Sequence, residues 1–251
     1  MAKYSSADIG YLLLSQYNLT NVSSKLEDSV EAPVEDITPF GVGTAVMGRP
    51  TNFKKYTISG HDGWYDDSAG SINDAMIGMA ATEEVLMLAY QGNAVGKRVI
   101  STAGAIRAGY KRGFEVGQYH KASFDISVSG VRDEAYIVSE LAIKTGTGNA
   151  NGVYVDLGSG GGGSAGATVY ICVTEYDNGG TATGLTFTFQ DAATIPTWGT
   201  QHVCTPAITA LGGYHYHTTN QTIRRYMSCS WAWGGTVGTA HAEFTVAVGI
   251  N

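Results

Sequence analysis

The chain has 251 residues, a net charge of −7, 34 glycines and 15 tyrosines, and only 15% of its residues are charged. A chain of this length can bury a full core without a metal or a disulfide. Abundant glycine and aromatic residues with little charge are typical of short strands joined by tight turns, which argues against a helical protein. The negative charge disfavours binding to a phosphate backbone.

The N-terminal residues lack the basic region and sustained apolar core of a signal peptide. No run approaches the ~20 apolar residues of a membrane helix, so we expect a soluble protein made in the cytoplasm. The odd number of cysteines argues against a closed disulfide framework. We interpret Cys172, Cys204 and Cys229 as small buried apolar residues.

Residues 11–14 (YLLL) predict a compact apolar strand. Residues 27–36 then concentrate negative charge around Pro33, a combination that resists both a helix and a central strand. The acidic side chains are Glu27, Asp28, Glu31, Glu35 and Asp36. We predict an exposed arm or an edge segment here, with a solvated loop as the alternative for a monomer.

Residues 53–79 are the stretch around which the chain is organised. Alternation over residues 55–60 predicts a half-buried strand, and the HDG and DDSAG sequences that follow predict two turns. Ser71 and Asp74 have the spacing of a capping box. They open a short predicted helix whose apolar residues are Ile72, Ala75, Met76 and Met79. Trp64 and Tyr65 are predicted to pack where this helix crosses the sheet.

Residues 84–91 predict a buried strand, and residues 92–97 break it. Residues 99–121 are locally positive in a negative protein, so this region is predicted to meet an acidic partner surface. Its candidate contact residues are Arg107, Lys111 and Arg112. Residues 124–129 and 136–143 predict two further strands.

Residues 145–166 contain the low-complexity sequence GSGGGGSAG, which we interpret as a flexible loop inside one domain of residues 1–251. Beyond it we predict four strands, at residues 167–176, 185–190, 221–233 and 242–249. Three of them alternate cleanly, which predicts sheets with one buried face. The remaining strand, 221–233, is predicted to have no wholly solvent-facing side.

Motifs for chemistry are present but lack their required context. Residues 162–166 match G-x-S-x-G, followed by Asp177 and His202, but neither the preceding strand nor the following helix of a nucleophile elbow is predicted. Residues 92–98 are one residue too short for a phosphate loop. The histidines and cysteines are scattered at spacings that structural zinc sites do not use: Cys172, His202, Cys204, His215, His217 and Cys229. We assign turn and cap roles to Asp66, Asp67, His61 and Asp62, and we predict no enzyme, metal or cofactor.

Three pieces of the sequence resemble the major tail (tail tube) proteins of long-tailed bacteriophages. They are DIGYLLLSQYNLT followed by EAPVEDITPFG, the central TISGHDGWYDDSAGSINDAM, and the terminal QTIRRYMSCSWAWGGTVGTAHAEFTVAVGI. Residues 145–215 match this pattern less well, which suggests an outward-facing insertion.

The resemblance implies a mainly β, tail-tube-like sandwich or barrel with one short helix that assembles into rings. It implies a virion protein whose rings, hexameric or of three subunits with duplicated barrels, stack into a hollow tube that conducts DNA during ejection. No internal repeat favours three subunits. The implied partners are further copies and the tape-measure, tail-tip and terminator proteins, and DNA passes without specific binding.

Two other classes have a similar composition. A capsid decoration protein would bind a shell and would never polymerise alone. A carbohydrate-binding β-sandwich would present exposed tryptophans, chosen from Trp64, Trp198, Trp231 and Trp233. Their predicted positions on strands favour burial, with Trp198 as the exception because it follows Pro196.

Overall fold

The computed structural model describes residues 9–20, 22, 24–31, 34–36, 48–50, 55–68, 71–78, 83–149, 153–158, 163, 166–195, 197–219 and 222–250. Across these residues the chain is mainly β with one short helix, as the sequence predicted. None of the helical structure described is long and apolar enough to cross a bilayer.

The described residues of the first part of the chain, up to the predicted glycine-rich loop, form ten strands and the helix. They are β1 (Tyr11–Leu14), β2 (Tyr17–Asn18), β3 (Lys25–Glu31), β4 (Val34–Asp36), β5 (Gly48–Pro50), β6 (Lys55–Trp64), α1 (Ile72–Gly78), β7 (Glu84–Ala89), β8 (Arg98–Gly113), β9 (Lys121–Val128) and β10 (Arg132–Thr145).

The remainder of the described chain contains eight strands. They are β11 (Gly148–Asn149), β12 (Val155–Asp156), β13 (Gly166–Asp177), β14 (Ala182–Ala192), β15 (Thr200–Ile208), β16 (Gly212–Thr219), β17 (Tyr226–Gly235) and β18 (His241–Ile250). Strands β15 and β16 are not among the four predicted for this part, and β17 begins five residues later than the predicted strand at 221.

The strands form one large sheet, one smaller sheet and a separate pair. The large sheet has the order β16-β13-β18-β10-β8-β7-β1-β2, and β9, β6 and β3 branch from β8. The smaller sheet has the order β11-β17-β14-β15, with β12 also paired to β17, while β4 pairs with β5. In the described residues the sheets do not close into a barrel, so the architecture is that of a sandwich.

Strand β6 runs through the HDG sequence, where we predicted a turn. The register with β9 shifts between Gly60 and Gly63, and Asp62 has a φ of 52°. This is the geometry of a β-bulge, which absorbs an extra residue and lets the strand continue to Trp64. The predicted turn is therefore wrong: its turn-forming residues serve a kink inside a strand.

The predicted helix is confirmed. Ile72, Ala75 and Met76 are buried, so the apolar spacing did identify the inward face; Met79 lies outside the described residues. Ser71 directly precedes the helix, and its hydroxyl donates to the carbonyl oxygen of Asp66 at 2.7 Å. Asp74 lies in the first turn, where a negative charge stabilises the helix dipole.

Three apolar clusters hold the sheets together. One lies between the smaller sheet and the β10-β18-β13 part of the large sheet, and it includes Phe187 and Phe244. A second lies under α1 and includes Ile58 and Phe124. The third lies on the other face of the large sheet, where β1 and β7 approach β13, and it includes Tyr170 and Cys172.

For strand β13 the prediction of one buried face is wrong, whereas in β14 Thr186 and Thr188 remain partly exposed between buried neighbours. Val169, Ile171 and Val173 face the first cluster, as their alternation predicted. Tyr170 and Cys172 face the third cluster and are also buried. The alternation correctly identifies one buried face of this strand. The opposite face is buried as well, because the strand lies between two cores.

Lys144 is the one basic residue whose pKa is lowered by burial among the described groups. Its amine donates to the carbonyl oxygens of Glu140 at 2.6 Å and Phe244 at 3.3 Å, and it lies 4.3 Å from the centre of the Phe244 ring. Burial lowers its pKa to about 8. Below pH 8 the amine is charged in both states, and its burial lowers the free energy of unfolding by the full amount. As pH rises from 8 towards the unfolded-state pKa of about 10.4, this destabilisation decreases to zero.

We therefore expect Lys144→Met to increase the free energy of unfolding by about 1–3 kcal/mol at pH 7. The gain over the wild type should shrink steadily between pH 8 and pH 10. Urea unfolding at pH 7, 8.5 and 10 measures it, with the exposed Lys97→Met as the matched control. A gain that does not change with pH would show that the charge of this amine is not the cause.

Candidate assembly surfaces

The predicted acidic segment is an edge strand where the structure describes it. β3 pairs with β6 on one side, and it has no strand partner on its other side within the described residues. Six of its seven residues are exposed, including Glu27 and Glu31. The prediction of an exposed edge segment is confirmed for β3. Glu35 and Asp36 lie in β4, which pairs with β5, and Glu35 is in register with Arg49.

Two acidic side chains of β3 already have partners within the subunit. Asp28 forms an ion pair with Arg132 at the start of β10, and Arg132 also lies 3.2 Å from Glu134 and 5.3 Å from the ring of Tyr56. Glu27 pairs with Lys25 and lies 3.5 Å from the imidazole of His61. Its neighbour Lys25 holds the pKa of the Glu27 carboxyl below its usual range.

The basic region of residues 99–121 covers most of β8 and the tip of the antiparallel hairpin that β8 forms with β9. Lys111 and Arg112 are exposed near its end, and Arg112 lies 6.0 Å from the ring of Tyr65. Arg98 lies at the other end of β8, roughly 40 Å of extended strand away from Lys111. The positive residues that are near in sequence thus do not form one surface patch, and only those near the hairpin end remain together.

Arg107 has a role inside the subunit. It is half-buried, and its guanidinium donates to the carbonyl oxygen of Met76 at 2.6 Å. A positive group at the last turn of a helix satisfies an unpaired carbonyl and stabilises the dipole. Of the three predicted basic contact residues, Lys111 and Arg112 are therefore the exposed ones.

Apolar side chains at the end of the hairpin are exposed, which sequence reasoning missed. Phe114 is 61% exposed, Val116 103%, Tyr119 75% and the neighbouring Trp64 58%. Trp64 and Tyr119 meet edge to face at 4.7 Å. The predicted packing of Trp64 against the helix is wrong, whereas Tyr65 does pack against the cluster under α1. The flanking charges and glycines of residues 111–121 were the available signal of a protruding tip.

The remaining tryptophans are at least partly covered. Trp233 is buried, and Trp231 and Trp198 are intermediate. The indole of Trp231 donates to the carbonyl oxygen of Gly146 at 3.1 Å. Among the described tryptophans, Trp64 is thus the exposed one, and the expectation that Trp198 is exposed is met only in part.

The groups considered for chemistry are dispersed. Within the described ranges no three His, Cys, Asp or Glu side chains come together as a metal site. The three cysteines are buried and free, as predicted, and burial raises the pKa of the Cys204 thiol to about 11. Asp177 ends β13 of the large sheet, whereas His202 lies in β15 of the smaller sheet and stacks on Phe189; Ser164 lies outside the described residues.

The residues around the first turn after β6 also have a structural role. Asp66 accepts hydrogen bonds from the amide of Ser68 at 2.9 Å and from its hydroxyl at 2.7 Å. These bonds lower the pKa of the Asp66 carboxyl. This is an Asx turn, which is the turn role that the sequence predicted for Asp66.

A scan against protein-family models and a search of curated proteins each found no match to this sequence. A search of solved structures found six matching chains, and these include two chains of gene transfer agent (GTA) particles. One, from the tail of an empty particle with C6 symmetry, has a TM-score of 0.39 and 11% identity, over 53% of this chain and 98% of the other. The second, from the virion of a native particle, has a TM-score of 0.38 and 11% identity, over 52% and 97%.

Proposed function

We propose that this protein is a structural component of a phage tail whose copies form rings that stack into a DNA-conducting tube. The observation that carries the proposal is a pair of complementary surfaces on one chain. The edge strand β3 exposes acidic residues, and among the strands that the structure describes none pairs with its outer edge. The β8–β9 hairpin exposes Lys111, Arg112 and an apolar tip.

Complementary surfaces at different places on one subunit make heterologous contacts, which generate rings when the rotation closes and open stacks when it does not. An unpaired strand edge also invites a strand from a second copy, since backbone hydrogen bonds then continue from sheet to sheet. A negatively charged wall would keep phosphates from adhering while DNA slides past, and the net charge of −7 is consistent with this role.

The resemblance of the two ends and the middle of the sequence to tail tube proteins adds the finer features of the proposal. These are hexameric rings, a place in the virion, and contacts with tape-measure, tail-tip and terminator proteins. In this proposal DNA passes through the tube without specific binding, so the protein needs no site that recognises bases.

Lys111→Gln together with Arg112→Gln is expected to raise the protein concentration needed for assembly by at least about tenfold at low salt. The reason is the loss of attraction between the hairpin and the acidic strand of a second copy. Sedimentation and negative-stain microscopy over a concentration series measure it. The control is the exposed Lys97→Gln, which lies outside the hairpin. If the double variant forms tubes at the same protein concentration as the Lys97→Gln control, the proposed contact is contradicted.

Exposure of Trp64 is the observation that favours the carbohydrate-binding alternative. An exposed indole is a stacking platform for a sugar ring, although here Tyr119 already contacts the indole edge to face. Titration of tryptophan fluorescence with a panel of oligosaccharides separates the two functions. Saturable quenching that Trp64→Ala abolishes, in a protein that never assembles, would support carbohydrate binding instead of a tube.

A further inference from the structure

The exposed tip of the hairpin has the composition of a binding anchor. Residues 114–120 lie beyond the last strand pair of the hairpin, Gly113 with Lys121, and β6 ends at the same level with Trp64. Phe114 contacts Tyr65 and His120 edge to face, at ring distances of 5.9 Å and 4.8 Å. These contacts hold Phe114 in a defined place while leaving Val116 fully exposed.

A cavity of about 360 Å³ lies beside the acidic edge strand. Its apolar lining includes Leu26, Leu88 and Ile100, and its polar lining includes Asp28, Arg132 and Glu134. The volume lies near the lower end of the range for ligand pockets, about 300–1,000 Å³. It is therefore of a size to accept a small number of apolar side chains.

The polar rim of this cavity is ordered but incompletely satisfied. Arg132 is paired with Asp28 and Glu134, and the hydroxyl of Tyr90 donates to Glu134 at 2.7 Å. The Nε of Arg132 is buried without a hydrogen-bond partner in the described structure. A buried donor without a partner is costly to the folded subunit.

We propose that the apolar tip of one copy, Phe114, Val116 and Tyr119, inserts into the Leu26–Arg132 cavity of a second copy. This deepens the proposed function and rests on it, because it names the contact that joins one copy to the next. Exposed aromatic and aliphatic anchors that enter a pocket surrounded by polar groups are the usual source of binding energy at interfaces.

The charges around the two surfaces fit this pairing. Lys111, Arg112 and Lys121 surround the tip, which itself carries the exposed Glu115, and Lys121 lies 3.6 Å from Asp62, so the net charge of the region is weakly positive. Asp28 and Glu134 lie at the cavity, and Glu31 is exposed on the same strand as Asp28. Opposite charges around an apolar contact steer the encounter and fix its orientation. The tip and the cavity occur once each per copy in the described chain, so docking leaves a tip and a cavity unfilled at the two ends and growth continues.

The test uses the full chain. Val116→Asp is expected to raise the concentration for assembly by at least about tenfold, since it places a charge in an apolar contact. Val116 is 103% exposed in the subunit, so the subunit should fold normally. The matched control is Val153→Asp, because Val153 is 57% exposed and lies two residues before β12, a strand of the smaller sheet.

Cross-linking identifies the site of contact. Copies carrying Val116→Cys are mixed with copies carrying Tyr90→Cys, and a disulfide dimer is expected from the mixture and from neither variant alone. A wild-type protein that stays monomeric over the whole concentration series would overturn both this inference and the proposed function. Assemblies that tolerate Val116→Asp and give no mixed disulfide would overturn only the docking contact, leaving the tube intact.

Discussion

Replacing Phe244 with alanine is expected to lower the free energy of unfolding by about 3–5 kcal/mol. Phe244 is fully buried in β18, which pairs with β10 on one side and β13 on the other. Its ring meets Phe187 of the smaller sheet edge to face at 4.8 Å, and Trp231 at 5.4 Å. Truncation opens a cavity between the two sheets, which cannot collapse because strand pairing fixes both walls.

Urea unfolding followed by tryptophan fluorescence measures this loss. Phe114→Ala is the matched control because the same side chain is removed from a site that is 61% exposed. We expect this control to lower the free energy of unfolding by less than about 1 kcal/mol. Equal losses for the two variants would show that the two sheets are not held together by this aromatic contact.

Replacing Gly104 with alanine is expected to lower the free energy of unfolding by about 3 kcal/mol or more, or to prevent folding. A Cβ atom at this position would lie 1.7 Å from the carbonyl oxygen of Ser129. The amide of Ser129 donates to the carbonyl oxygen of Gly104 at 2.7 Å, so the two backbones are tied together at this point. Neither backbone can move away without loss of that hydrogen bond.

The position matters because β8 changes partners next to it. Residues 98–102 of β8 pair with β10, and residues 105–113 pair with β9. A shift here would displace the whole basic hairpin relative to the large sheet. Thermal unfolding and circular dichroism measure the effect, and Gly113→Ala is the control, since its Cβ would meet no atom closer than 3.9 Å. A Gly104→Ala variant as stable as this control would contradict the close approach.

The charge on β3 has two physical consequences that act together. Charged residues on an edge strand suppress unspecific pairing with other edges. The same charges permit pairing with an oppositely charged surface, because attraction there replaces repulsion. Under the proposed function, an acidic edge and a basic hairpin on one chain would favour self-assembly in a single arrangement over aggregation.

The sequence by itself determined those elements whose signal is local. The alternation of residues 55–60, the apolar run at 11–14 and the helical spacing after Ser71 are each recognisable from neighbouring residues alone, and each element forms as predicted. The exposed acidic edge was also predictable, because charge with little apolar content cannot be buried.

Only the tertiary structure decided which surfaces lie between two cores and which protrude. Tyr170 and Cys172 are buried because β1 and β7 fold back over β13, a contact between distant parts of the chain. Phe114 and Val116 are exposed because strand pairing ends at Gly113 and Lys121. Asp28 meets Arg132 across 104 positions of sequence. Burial and pairing of this kind depend on which distant strands lie side by side, and a local sequence pattern does not predict this.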